Sequence, residues 1–417
     1  MILLSIFFNL ASVFVAKIMG KTFINPIIVC FLGFLVSGFI YQFGTLVGST
    51  HESSILSTRV KTMILIFSIL MLFVAFLIRN RIPRIRLERN HLRWFHLVLS
   101  GSIFLIVIST ILLFRKNGWV PAFVNMGRFY GLGNVSYADV LVPFFTPLSF
   151  GLFRGIFLLQ IIKLIEIDEP LSIGLKRYWK SSLAVLSCAP LILMTGLRSP
   201  IFDIIIMSLM AYTSFYVIKG KHMLVIGGIF SSFVILFLLL GNQRMGIVGI
   251  QGNPFSDMMG FSSGINILDV GLGWLNAYAG TAYLNLNSIV EYYPYTNHGA
   301  GILREILPDF IFGAYLPDAP PPIEYIKTNG LMAFHGLTFR TAYADYFGEF
   351  GYVGAIIAGF TMLVICAIVY NYRLRNMRAF ALYISLCPGI VFFSLFDRFT
   401  GLSNLVPVLF ALLLVKR

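Results

Sequence analysis

A polytopic α-helical bundle in a lipid bilayer is the fold class that this sequence predicts, and three observations predict it. The first is a balance of composition. Of 417 residues, 58% are hydrophobic and only 12% charged, with a mean hydropathy of +0.87, and so few charges cannot cover that much apolar surface in water. The second is spacing. Apolar runs recur along the whole chain near the roughly 20 residues that a helix needs to cross about 30 Å of hydrocarbon, and the short alternating segments of a closed barrel are absent. The third is that basic residues gather on alternate connections between those runs, as the positive-inside rule requires of a chain that crosses repeatedly.

Taken in order, the first span is expected at 2–17; with no basic residues before it and no small-residue cleavage site, it reads as a retained helix rather than a leader. Lys17 and Lys21 separate it from a span at 23–42, and Arg79, Arg81, Arg84, Arg86, Arg89 and Arg93 separate spans at 61–78 and 95–114. A span at 140–162 is followed by Lys163, Lys176, Arg177 and Lys180. Spans at 181–195 and 201–218 flank a short turn, and Lys219 and Lys221 lead into a span at 222–240. Three closing spans, at 350–371, 379–396 and 401–415, alternate with Arg373, Arg375 and Arg378, the turn at Asp397 and Arg398, and finally Lys416 and Arg417. Placing every basic cluster in the cytoplasm gives eleven spans, with the N-terminus outside and the C-terminus inside. The chain then reads as a single integral membrane domain, 1–417, whose one long outer connection is 241–349. That connection mixes apolar stretches with Gly, Asn and Tyr and carries Pro317, Pro320, Pro321 and Pro322, a composition suited to short helices on or dipping into the membrane.

Several function classes fall away at this stage. The formal charge of +14 follows from topology, so no nucleic-acid partner is expected. Cys30, Cys188, Cys366 and Cys387 all fall inside expected spans, where they serve as small apolar residues, and there is no disulfide framework or CxxC zinc pattern. The cytoplasmic connections are short and carry no Walker or GxGxxG motif, no DxD, HExxH or EF-hand pattern marks a metal site, and GxSxG is missing. No cofactor and no metal is expected. The halves show no internal repeat, which argues against repeat-built transporters.

Candidate site residues are those whose positions need a reason. Arg198 in Thr195-Gly-Leu-Arg-Ser-Pro200, Arg244 in Gly241-Asn-Gln-Arg244, and Arg340 sit at outer ends of spans, against the positive-inside trend. Guanidinium groups stay charged and present a fork that matches phosphate oxygens, so their convergence would make a pyrophosphate site. The alternatives are contact with lipid headgroups or pairing with Asp203 or Asp397. Arg154 falls in the middle of the fifth apolar run, where a charge needs a cavity or a partner; it is read either as a substrate-binding group or as half of an ion pair. In the long connection, His298, His335 and Arg340 lie near Asp345 and Glu349, which are four apart and share a face if 340–349 is helical. A carboxylate beside arginines can take a proton from a sugar hydroxyl while the cations stabilise a departing diphosphate; helix-end electrostatics explain the same carboxylates more simply. Arg304 and Tyr283 complete the substrate-binding candidates. Tyr278, Tyr283, Tyr292, Tyr293 and Tyr295 suit either sugar stacking or anchoring at the membrane interface.

These residues resemble a known group, the bacterial oligosaccharide repeat-unit polymerases of the Wzy type, within the O-antigen ligase superfamily. Thr195-Gly-Leu-Arg198-Ser-Pro200 looks like the family's arginine-bearing outer turn, and one dominant outer loop precedes the closing spans. The stretch from Arg340 through Glu349 and Gly351 to Gly354 looks like the segment in which a glutamate and two glycines lead into the next span, with ten residues between Arg340 and Gly351. Ligase-type relatives often carry histidine where Arg340 falls, and this chain departs from them there. The resemblance implies a GT-C-like fold and an inverting, metal-independent glycosyl transfer at the periplasmic face of the inner membrane. Donor and acceptor would both be polyprenyl-pyrophosphate-linked oligosaccharides, with a chain-length regulator and a flippase as candidate partners. It implies that Arg198, Arg244 and Arg340 hold the donor pyrophosphate while Glu349 or a nearby histidine, His335 or His298, assists the acceptor hydroxyl. The competing readings are an O-antigen ligase and a transporter or flippase for lipid-linked oligosaccharide.

Overall fold

The structure is a computed structural model that describes residues 1–20, 25–42, 56–79, 92, 94–119, 141–142, 144–166, 199–215, 266–306, 320–332, 341–394 and 401–416, with positions 179, 185, 190–191, 228 and 235 besides. Among the described residues there is no strand, only an isolated antiparallel bridge between Leu92 and Val415. The helices are α1 (Ile2–Gly20), α2 (Pro26–Gln42), α3 (Thr58–Leu77), α4 (Phe95–Lys116), α5 (Phe145–Glu166), α6 (Ser199–Phe215), α7 (Asn266–Tyr292), α8 (Ala300–Ile306), α9 (Pro322–Thr328), α10 (Ala342–Tyr372), α11 (Met377–Phe392) and α12 (Leu402–Leu413). Five described segments, α1, α3, α4, α10 and Phe145–Ile165 of α5, are long and apolar enough to cross a membrane, and α2, α6, α11 and α12 are shorter apolar helices. The expected spans at 181–195 and 222–240 lie almost wholly outside the described residues.

Helix polarity runs opposite to that of a water-soluble protein. On α1 the buried positions are Ile2, Ser5, Asn9, Ser12, Ala16 and Gly20, whereas Leu3, Phe7, Leu10, Phe14 and Ile18 are more than half exposed. The same inversion marks α10, where Ala355, Gly359 and Ala367 are buried and Val353 and Ile357 are exposed. Small side chains let helix backbones approach, and bulky apolar ones are left to face a solvent that is itself apolar. A helical membrane protein is the class that this pattern defines.

Contacts group the chain into two compact units, Met1–Asn80 with Val248–Asn371 and Gly389–Arg398, and Arg81–Ile247 with Tyr372–Pro388 and Phe399–Arg417. In the first unit α1 packs on α2 and α3, and α7 packs on α2, α3 and α9. An aromatic cluster of Phe34, Phe67, Tyr343 and Phe393 fills its interior, Phe67 and Tyr343 meeting edge-on with ring centres 4.0 Å apart. Gly359 admits that cluster: a Cβ there would lie 2.5 Å from Tyr343 Cε1. In the second unit α5 is central, packed against α4, α6 and α12, with Leu99, Ile106 and Leu113 of α4, Phe153 and Ile156 of α5 and Val406 of α12 in one buried cluster.

The long connection differs from its expectation. Short helices occur there, α8 and α9, but its largest described element is the 27-residue α7, which lies against α2 and α3. Its buried positions include Ala277, Ala279, Ala282 and Asn285, small or polar residues that suit a close helix contact.

Candidate functional site

The segment that carries the family resemblance forms the start of α10. Ala342 opens the helix, its amide donating to the carbonyl of Phe393 at 3.2 Å, and the preceding Thr341 is buried. Nine residues on, Gly351 takes φ 68 and ψ −169, a break inside α10 that only glycine accommodates without strain. Glu349 sits just before this break, 6% exposed, and Asp345, half-buried, lies one turn earlier on the same helix.

A loop from the end of α7 closes on Glu349. The Asn297 amide donates to the carbonyl of Gly348 at 2.9 Å, its side-chain Nδ2 donates to Glu349 Oε1 at 3.4 Å, and the amide of Gly301, in the first turn of α8, donates to Glu349 Oε2 at 3.0 Å. Each carboxyl oxygen therefore has a donor from this loop. Between the two anchors the chain turns through His298 and Gly299, both left-handed at φ 51 and 87, with the Ala300 amide bonded to the Asn297 carbonyl at 2.9 Å. His298 is exposed on this turn. A Cβ on Gly301 would overlap Glu349 Oε1 and displace that carboxyl, and one on Gly348 would overlap Pro322.

Three tyrosines build up the loop from the other side. The Tyr293 hydroxyl donates to the carbonyl of Pro320 at 2.8 Å and accepts from Asn297 Nδ2 at 3.3 Å. The rings of Tyr293, Tyr295 and Tyr325 meet edge-on, with centres 5.4 to 5.8 Å apart. Burial holds the Tyr293 phenol above its ordinary range, and the neighbouring Glu349 adds to this while the Asn297 hydrogen bond opposes it. The phenol thus stays neutral and able to donate.

The second unit holds the other singled-out charge. Arg154, mid-way along α5, is 2% exposed; its Nε lies 3.4 Å from Asp203 Oδ2 in α6, and its Nη1 donates to the carbonyl of Ser403 at 3.0 Å and to Asn404 Oδ1 at the start of α12. The sequence Gly151-Leu-Phe-Arg154-Gly155 makes this possible. A Cβ at Gly151 would lie 2.9 Å from Val406 Cβ, and one at Gly155 would lie 2.6 Å from Phe410 Cδ2, so the two glycines let α12 close on the face of α5 that carries the arginine. A lone charge in hydrocarbon costs about 3 kcal/mol or more, which explains why this one has a carboxylate beside it and acceptors from α12 on Nη1.

The other sequence candidates divide plainly. Tyr283 is wholly buried on α7, its hydroxyl donating to the carbonyl of Phe34 at 3.3 Å, a place in the helix interior rather than on a sugar-accessible surface. Arg304 falls within α8. Arg198, Arg244, His335 and Arg340 lie outside the described residues, although Arg198 immediately precedes the first residue of α6 and Arg340 stands two before that of α10. Asn297, Gly301 and Asn404 were not singled out by sequence. Asn297 and Glu349 are 52 positions apart and Arg154 and Asn404 are 250 apart, so no local spacing announces either contact.

The chain matches no family model, no curated protein and no solved structure, so what the site does is read from its own residues.

Proposed function

We propose that this protein is a membrane glycosyltransferase that polymerises polyprenyl-pyrophosphate-linked oligosaccharide repeat units at the periplasmic face of the bacterial inner membrane. The observation that carries the reading is the clasp between the His298 turn and Glu349, because Glu349 falls in the segment, Arg340 to Gly354, that resembles the repeat-unit polymerases. A helical membrane body with about eleven crossings and a GT-C-like arrangement is the frame that this reading requires.

In the reaction, a hydroxyl of the acceptor's terminal sugar attacks the anomeric carbon of the donor glycan. The new carbon–oxygen bond forms with inversion as the bond from that carbon to the diphosphate oxygen breaks, and polyprenyl diphosphate leaves. Arg198, Arg244 and Arg340 bind and neutralise the departing diphosphate, the larger contribution to the rate. The hydroxyl proton passes to a base. The clasp favours His298 for that part, since both Glu349 oxygens already accept from the loop, and Glu349 then orients the turn that presents the imidazole.

The test supplies the purified, reconstituted protein with polyprenyl-linked repeat units and resolves the products by length. Ladders of longer glycan are expected, with R198A and R340A each lowering kcat/KM by about 100-fold or more, as loss of a charge-stabilising donor does. Transfer of glycan to a lipid A core acceptor alone would assign a ligase, and movement of the lipid-linked sugar across the bilayer without a new glycosidic bond would assign a transporter; either overturns the proposal.

A further inference from the structure

We infer that the opening of α10, residues 342–350, is a re-entrant half-helix that dips into the first unit and turns back without crossing, and that it carries a buried water site to the middle of that unit. The inference stands on its own contacts and does not depend on the proposed reaction. Along an unbroken helix, residues 343 and 359 would stand about 24 Å apart, beyond the reach of one side chain. Yet a Cβ at Gly359 would lie 2.5 Å from Tyr343 Cε1. The chain reverses at Gly351, where φ 68 and ψ −169 interrupt the helix, and beside the break a Cβ on Gly354 would overlap that of Phe350. Residues 342–350 therefore lie back along the stretch that follows them.

Contacts with α3 give the depth. The Tyr352 hydroxyl donates to the Arg59 carbonyl at 2.9 Å, at the start of α3, and Asn371 Nδ2 donates to the Leu77 carbonyl at 2.7 Å, at its end. The stretch 352–371 thus runs the length of α3, about 28 Å, and makes a full crossing by itself. Tyr343 stops half-way. Its ring packs on Phe67, at the centre of the 20-residue α3, and on Phe34, at the centre of the 17-residue α2. A segment that ends at such a depth must be covered by protein, and Ala342, Tyr343, Ala344, Tyr346, Gly348 and Glu349 are all buried.

An unpaired hydroxyl is costly there. Among the described residues the buried Tyr343 hydroxyl has no hydrogen-bond partner. Tyr343 lines a cavity with Phe34, Phe67, Ser68 and Tyr283 that is wide enough to admit a water molecule. Ser68 donates to the Ile64 carbonyl at 2.8 Å and meets Ser5 Oγ at 2.7 Å, and Tyr283 donates to the Phe34 carbonyl, so both hydroxyls keep a lone pair to spare. One water that accepts from Tyr343 and donates to Ser68 and Tyr283 makes the three bonds usual for a buried water.

The experiment uses the full chain in lipid nanodiscs. With the four cysteines replaced by alanine, a short bifunctional thiol reagent should join Tyr343→Cys to Gly359→Cys at least about tenfold more than it joins Tyr343→Cys to Asn371→Cys, read from the linked peptides by mass spectrometry. Equal yields, or no 343–359 product, overturn the reversal. Should those pairs not accumulate, thermal unfolding replaces them: Gly359→Ala should lower the midpoint less in a Tyr343→Leu background than alone, and additive shifts, as expected of residues far apart, overturn the reversal. For the water, Tyr343→Phe keeps the ring and should lower the midpoint by about 2 °C or more, and by less than half as much in a Tyr283→Phe background. An unchanged or raised midpoint, as when a partnerless hydroxyl is removed, overturns the water site, and so do additive shifts. If Tyr343→Phe does not accumulate, infrared spectra of the wild type in ordinary and heavy-oxygen water decide: a shifting band from an isolated buried water is expected, and its absence overturns the site.

Discussion

Gly301 is a position at which substitution directly disturbs the clasp, because a single added methyl would occupy the space of Glu349 Oε1. Gly301→Ala should displace the carboxyl, break the bonds from both Asn297 Nδ2 and the residue 301 amide, and cost about 1–3 kcal/mol for the acceptors and donors left buried. Thermal unfolding in detergent would measure it, and an unchanged midpoint would mean that the loop yields without loss. Asp203→Ala is the corresponding test in the other unit. It takes one carboxylate away from the enclosed Arg154, and removing one member of a buried pair costs about 3–5 kcal/mol. Sequence reading went as far as naming the charges, Glu349 and Arg154, since a glutamate at a span boundary and an arginine inside a span both need a reason. It stopped at their partners, because hydrogen bonds across 52 and 250 positions follow from how helices pack and leave no periodic trace.

At the scale of helices, two glycine devices control what the side chains can reach. Gly151 and Gly155 seat α12 against α5, so Gly155→Leu should overpack that contact against Phe410 and cost about 1–3 kcal/mol, read as a lowered unfolding midpoint with Arg154 and Asn404 otherwise intact. Gly351 interrupts α10 at φ 68. Gly351→Ala puts a side chain into a backbone region reserved for glycine, at about 1–3 kcal/mol, and under the proposed function should lower polymer formation more than it lowers the level of protein in the membrane. Hydropathy located most helices to within a few residues, the first expected at 2–17 and found at 2–20, the fourth expected at 95–114 and found at 95–116. It passed over α7, whose sequence interleaves buried Leu284, Leu286 and Ile289 with buried Asn285, Asn287 and Ser288. The break at Gly351 was equally hidden, since a glycine in an apolar run fits an unbroken span as well as a kinked one.

Across the whole molecule, the inversion of helix polarity states which surface meets lipid. Phe7 and Phe14 of α1 are 61% and 63% exposed while Asn9 between them is fully buried. In native membranes, cysteines introduced for Phe7 and Phe14 should react with a lipid-borne photolabel, and one introduced for Asn9 should not; labelling at position 9 would place the interior of the unit elsewhere. Burial of Ser5, Asn9 and Ser12 against neighbouring helices has a thermodynamic consequence. Water is absent from both the associated and the separated helices, so pulling them apart within the bilayer hydrates little apolar surface. The heat capacity of a soluble protein rises on melting because such surface becomes wet. Here that step should nearly vanish, the temperature curve of stability should lose most of its curvature, and cooling should leave the helices associated where a water-soluble core would begin to loosen.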